Sequence, residues 1–126
     1  MQRVGDDSTG FSVDHPDAGR ILVKGWGFWS VAVASAFAPT VMEGCKGRPR
    51  GTILILDMVD LKPMREEGQQ SFSRLLTALS NLGIAQVSVI TTNALTKLQL
   101  LRLVTESATG AHVEWDNGAK GVGLSA

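Results

Sequence analysis

Thr52-Ile53-Leu54-Ile55-Leu56 decides the fold. Five residues with no charge, apolar on both faces and rich in β-branched side chains, define a strand inside a parallel sheet that helices cover on each side. On its C-terminal side Asp57 to Met64, which includes Pro63, is expected to be a loop. From Glu66 to Leu82 the apolar residues Phe72, Leu75, Leu76, Leu79 and Leu82 fall on one helical stripe, which Gly83 closes as a left-handed C-terminal residue. Val87-Ser88-Val89-Ile90 is a second strand. Asn93 is placed to cap a helix from Ala94 to about Ala108, with Leu95, Leu98, Leu101 and Val104 facing inward and Gly110 ending it. Ala111 to Trp115 alternates as a last, edge-like strand.

Upstream, Phe11-Ser12-Val13 alternates as a half-buried strand does, and His15-Pro16-Asp17-Ala18-Gly19 has turn chemistry. Ile21-Leu22-Val23 completes a hairpin that Gly25-Trp26-Gly27 ends. Ser30 is a candidate cap for a helix reaching about Glu43 and stopping at Gly44, with Pro39 expected to kink or split it. Lys46 to Gly51 is a basic loop. The order is β-β-α-β-α-β-α-β: an α/β domain over residues 10–115, with a mixed, mostly parallel sheet of about five strands. Residues 1–9 and 116–126 are polar or glycine-bearing and are expected to be loose.

Bulk properties narrow the function. A chain of 126 residues holds one core, and 44% apolar content is enough to fill it. Twelve basic residues balance twelve acidic ones, which argues against nucleic acid as a partner, since phosphate contacts require an electropositive face. No apolar run approaches the ~18 residues needed to span a bilayer, and Met1 to Asp7 does not resemble a signal peptide. A soluble cytoplasmic protein that makes no membrane contact is the expectation.

Catalytic and metal-binding patterns are sparse. Cys45 is the only cysteine and follows Gly44 at a helix end, as a partly exposed structural thiol would. His15 and His112 have no metal-ligand spacing, and the sequence carries no phosphate-binding glycine loop or nucleophile elbow. No cofactor and no metal are expected, and no enzymatic activity. Asp57 at a strand end, without the acidic neighbours that would hold Mg²⁺, is a turn carboxylate rather than a phospho-acceptor.

The layout, and above all Thr52 through Gly68, resembles the STAS domain of anti-sigma-factor antagonists and of the cytoplasmic tails of sulfate transporters. Ile53 to Leu56 looks like the family's strand, Leu61 like its loop leucine, and Arg65-Glu66-Glu67-Gly68 falls in register with its Asp-Ser-x-Gly motif. The resemblance implies a regulatory, protein-binding module whose partner is an anti-sigma kinase-like or other signalling protein. Glu66 occupies the phospho-acceptor position, so the phosphorylation switch is lost. A carboxylate carries about −1 permanently, against roughly −1.5 to −2 for phosphoserine. Independently of the family, Glu66 and Glu67 in a first helical turn favour the helix dipole by ~0.3–1 kcal/mol each when exposed, and Gly68 allows the helix to approach the sheet closely.

In such sheets the C-terminal strand ends gather the loops that bind ligands or partners. The contact surface expected there comprises Trp26 and Trp29, Asp60, Lys62, Arg65, Glu66, Glu67 and Gly68, and Thr92 with Asn93. Of the rings Trp26, Phe28 and Trp29, at least one should lie near the surface as an apolar anchor, unless all three staple the first helix to the sheet. Two other readings remain: a small-ligand carrier or sensor (nucleotide, lipid or anion) using the same loops, and a homodimer formed through a sheet edge or a helix face.

Overall fold

The computed structural model describes residues 1–117. Its elements are β1 (Gln2–Gly5), β2 (Gly10–Asp17), β3 (Arg20–Gly27), α1 (Val31–Cys45), β4 (Ile53–Leu61), α2 (Glu66–Ala78), a 3₁₀ turn at Ser80–Leu82, β5 (Gln86–Ile90), α3 (Ala94–Ser107) and β6 (His112–Asp116). The six strands form one sheet in chain order. β1, β2 and β3 are antiparallel neighbours, and β3 through β6 run parallel.

A sheet that adds each parallel strand on the same side, through right-handed crossovers, carries every crossover helix on one face. Accordingly α1 packs on α2 and α2 on α3. The single core cluster takes Ile21, Val23, Leu54, Leu56, Val87 and Val89 from the strands, together with Val33, Phe37, Phe72, Leu75 and Leu100 from the helices. This corrects the expectation of helices on both faces. The alternate residues of β4, Ile53 and Ile55, lie outside that cluster, and Ile55 sits in register between Leu22 and Ser88.

Residues 1–9 are not loose. β1 pairs with β2 from Gln2 opposite Val13 to Gly5 opposite Gly10. The segment expected to turn at His15–Gly19 stays in β2 as far as Asp17, and β3 runs on through Gly25-Trp26-Gly27. β4 also outruns the expected loop at Asp57, continuing to Leu61. A register shift between Lys24 and Trp26 accommodates one extra β4 residue, so Met58 and Leu61 are both fully buried. At the far end, Asp116 pairs with Ile90 inside β6. Residues 118–126 lie outside the described residues.

Ser30 caps α1 as expected, its Oγ accepting from Val33 N–H at 3.2 Å. Pro39 does not split the helix, which continues through Gly44 to Cys45. Beside the proline, Ala38 N–H donates to Ser71 Oγ of α2 at 3.0 Å, so the neighbouring helix supplies an acceptor where the ladder is disturbed. α2 ends earlier than its stripe implies, and Leu79 leads into the 3₁₀ turn closed by Gly83 at φ +78°. Gly68 is buried, yet its close neighbour is Met64, whose Cβ would lie 3.1 Å from an added Cβ, and not the sheet.

α3 is rotated from its expected orientation. Asn93 Oδ1 accepts from Thr96 N–H at 3.0 Å, as a cap should. Thr96, Leu100 and Leu103 face inward, whereas Leu95, Leu98 and Leu101 are 63%, 62% and 36% exposed. Polar bonds explain the rotation. Thr96 Oγ1 donates to Leu61 C=O at 3.0 Å, and Gln99 bonds the Met64 peptide. Unpaired backbone groups in the β4–α2 connection would cost more than exposing leucines already half-accommodated at a surface.

Candidate functional site

The C-terminal ends of β3 and β4, the start of α3 and the β1–β2 hairpin enclose an open cleft of about 590 Å³. Its floor follows from the extended strands. Gly27 pairs with Leu61, and Lys62 N–H donates to Gly27 C=O at 3.1 Å, carrying the ladder one residue beyond β4. The extra residue in β4 re-aims the chain, so Val59, Asp60, Leu61 and Lys62 all line the cleft.

The hairpin loop forms the opposite wall. Asp6 Oδ1 accepts from Ser8 N–H (2.9 Å), Ser8 Oγ (2.8 Å) and Thr9 N–H (3.1 Å). Those bonds, led by the Ser8 hydroxyl, hold the Asp6 carboxyl below its ordinary 3.8. Trp26 Nε1 donates to Asp6 C=O at 2.7 Å, and Thr9 Oγ1 donates to Phe28 C=O at 2.7 Å, which latches the loop onto β3. The Arg3 guanidinium lies 5.2 Å from the Trp26 ring centroid and pairs with Asp7 at 2.6 Å.

Four residues expected from the sequence therefore meet here: Trp26, Asp60, Lys62 and Asn93. Asn93 uses Oδ1 to cap α3. Arg3, Asp7 and Ser8 complete the lining, although their segment is expected to be loose. The available signal is Gly5-Asp6-Asp7-Ser8-Thr9-Gly10, a turn-forming run bracketed by glycines.

The remaining candidates lie elsewhere. Trp29 is a correction. It is 4% exposed, stacked 5.8 Å from Phe72, and its Nε1 donates to Gly10 C=O at 2.9 Å, so it anchors the core. The surface ring is Phe28, 66% exposed. Arg65 and Glu66 are exposed at the start of α2, and Glu66 Oε1 accepts from Gln70 of its own helix at 3.2 Å. Glu66 lines a groove with Gln69, Arg102 and Glu106, between α2 and α3. Glu67 lines a different one with Ser35 and Arg74, between α1 and α2. Thr92 is exposed beside Asn93. The single surface read from the sequence is thus a cleft plus a separate helix-start patch.

Cys45 is also a correction, being wholly buried, and burial pushes its thiol up to about 11 despite the nearby Arg48. His15 Nε2 lies 3.0 Å from Gly44 C=O, and His112 lies 3.6 Å from Glu114. Both histidines are at the N-terminal edge of the parallel strands, opposite the cleft. Among the described residues no three His, Cys, Asp or Glu side chains group as metal ligands, and no helix is long and apolar enough to cross a membrane.

No protein-family model matches the sequence, and no curated protein matches it. Among solved structures, an uncharacterised DUF3478-family protein with a SpoIIAA-like fold from Shewanella loihica PV-4 superposes with a TM-score of 0.64 over 94% of this chain and 95% of that one. The two are 12% identical, so the likeness is one of fold. The chain is a mixed α/β protein with a SpoIIAA-like, STAS-like fold.

Proposed function

We propose that this protein is a non-enzymatic STAS-like interaction module that engages a signalling protein through the C-terminal edge of its sheet. One observation carries the reading. That edge combines a half-polar cleft, lined by Lys62 and Asp60 with no ion pair of their own among the described residues, with the exposed apolar side chains Phe28 and Val31 where β3 passes into α1. Large exposed apolar groups bordering unpaired charges are the composition of an anchor with a steering rim. The helix-start patch adds Glu66, whose carboxylate accepts from Gln70 one turn on. Against an enzyme stands the lone cysteine, protonated and buried, with both histidines at the opposite edge.

Affinity capture from the native organism's extract, with Lys62→Glu, Asp60→Lys and Phe28→Ser against the parent chain, tests the reading. Recovery of one partner by the parent and its loss with the edge variants is expected. Equal recovery by all four chains sinks this surface. The cleft's volume, within the roughly 300–1,000 Å³ of ligand sites, favours small-ligand binding as the second reading. Saturating ligand at 100 times its Kd would then raise stability by about 2.7 kcal/mol, and thermal-shift screening separates the two.

A further inference from the structure

Lys46-Gly47-Arg48-Pro49-Arg50-Gly51, between α1 and β4, carries three cations and no acid. Two of the cations are engaged. Lys46 pairs with Glu43 at 3.0 Å, and Arg48 Nη2 donates to Asp17 C=O at 2.8 Å. Arg50 is exposed, and its guanidinium has no ion pair or hydrogen bond among the described residues. It lines a cleft of about 430 Å³ at the edge of the sheet opposite the cleft described above. Three adjacent parallel strands begin there: Gly51 leads towards β4, Ala85 into β5 and Gly110 towards β6. We propose that this second cleft is a binding site for a small phosphate monoester.

Donors and acceptors are unequally available in its walls. The Ser80 hydroxyl and the Asn81 amide line it beside Arg50, and both side chains are exposed without partners among the described residues. The peptide N–H groups of Gly51 and Gly110 donate to no backbone carbonyl among the described residues. Nearby carbonyls are taken. Leu79 C=O accepts from Leu82 and Ile84, Ser80 C=O from Gly83, Ala85 C=O from His112, and Pro49 C=O from Thr52. Among the described residues no carboxylate lines the cleft. A cation finds no charged ligand here, whereas an anion meets a fixed positive charge and spare donors. Gly51 and Gly83 stand at φ +84° and +78° with nothing within 4 Å of an added Cβ, so bare backbone borders the space. A Cβ at Gly110 would collide with Ser80 Oγ, so glycine leaves the hydroxyl its place. A guanidinium grips two phosphate oxygens at once and leaves the third to the hydroxyl and the amide, which a carboxylate does not supply. The volume lies within the roughly 300–1,000 Å³ of ligand sites and exceeds that of a bare phosphate, so the ester's organic part occupies the remainder.

Nuclear magnetic resonance titration of the isotope-labelled chain with glycerol phosphate tests the site, with inorganic phosphate and acetate as comparison probes. Glycerol phosphate is expected to shift the amide signals of Gly51, Gly83 and Gly110 and to bind more tightly than inorganic phosphate. Acetate should bind at least about tenfold more weakly. Arg50→Ala should raise the glycerol phosphate Kd about tenfold or more, and Asn81→Ala about fivefold. Both truncate exposed side chains without partners, so the rest of the spectrum should persist. Lys46→Ala removes one charge from the same loop but none from the cleft, and should change the Kd by less than about twofold. Absence of shifts at the three glycines overturns the proposal. So does equal weakening by Lys46→Ala and Arg50→Ala, or binding of acetate or inorganic phosphate as tight as that of glycerol phosphate.

Discussion

Gln99 grips the Met64 peptide at both ends: its Oε1 accepts from Met64 N–H at 2.7 Å and its Nε2 donates to Met64 C=O at 3.0 Å. The second bond is shared, because Gln69 Nε2 also donates to that carbonyl at 3.0 Å. One side chain of α3 thereby holds the residue just before the Arg65 cap of α2, and sets the rotation that turns Leu98 and Leu101 outward.

Gln99→Leu should destabilise the protein by about 1–3 kcal/mol, since Met64 N–H is left unsatisfied in a part-buried setting. Gln99→Glu keeps the acceptor and loses the donor that Gln69 duplicates, so its loss should be smaller. Denaturant unfolding of the two variants checks the order. Equal stability of Gln99→Leu and the parent would remove the clamp as the cause of the rotation.

Gly27 stands at φ +73°, and an added Cβ would collide with the Ser8 carbonyl of the hairpin loop. Gly27→Ala should therefore cost about 1–3 kcal/mol in backbone strain and also push the loop off β3. Gly47 provides the control: φ is +72°, but nothing lies within 4 Å of its would-be Cβ, so Gly47→Ala carries strain without the collision. Tryptophan fluorescence should shift in the Gly27 variant and not in the Gly47 variant, because Trp26 is bonded to the displaced loop.

The parallel core was legible because β4 and β5 are short runs of branched apolar residues, and because Ser30 and Asn93 announce two helix starts by cap chemistry alone. The orientation of α3 was not. Apolar periodicity places Leu95, Leu98 and Leu101 inward, but Thr96 and Gln99 win the inner face by satisfying the backbone groups of Leu61 and Met64, a requirement visible only when both segments meet. β1 was missed for a related reason. Gln2-Arg3-Val4 is too short and polar to signal a strand, and its place in the sheet depends on pairing with β2. Of the cleft, the half drawn from strand ends was legible as Trp26, Asp60, Lys62 and Asn93, whereas Arg3, Asp7 and Ser8 arrive by that pairing.

Phe37 is the hub of the aromatic core. It meets Phe11 edge-on at 5.2 Å, Trp29 at 4.7 Å and Phe72 in a stack at 4.6 Å. Phe37→Ala should lose about 3–5 kcal/mol, the range for emptying a buried aromatic site. Phe37→Leu keeps most of the volume and should lose less. Because Trp29 touches the same ring, near-UV circular dichroism should weaken in the alanine variant. An unchanged signal together with unchanged stability would mean that the helices, rather than this cluster, hold α1 to the sheet.

Cys45 couples stability to alkaline pH. Burial raises its thiol from 9.0 to about 11, so between those values the folded chain keeps a proton that the unfolded chain releases. The folded state then binds more protons, and stability must fall as pH rises through 9.0, with the decline ending above the folded value. Cys45→Ala removes this group, so the parent's stability should drop more steeply than the variant's above pH 9.0, while the two curves run parallel near neutrality. Denaturant midpoints measured across that range check the slope, and identical slopes would place the thiol in contact with water. Alkylation at neutral pH gives an independent reading. A buried, protonated sulfur reacts only when the chain opens, so the rate should follow the opening equilibrium and rise with denaturant.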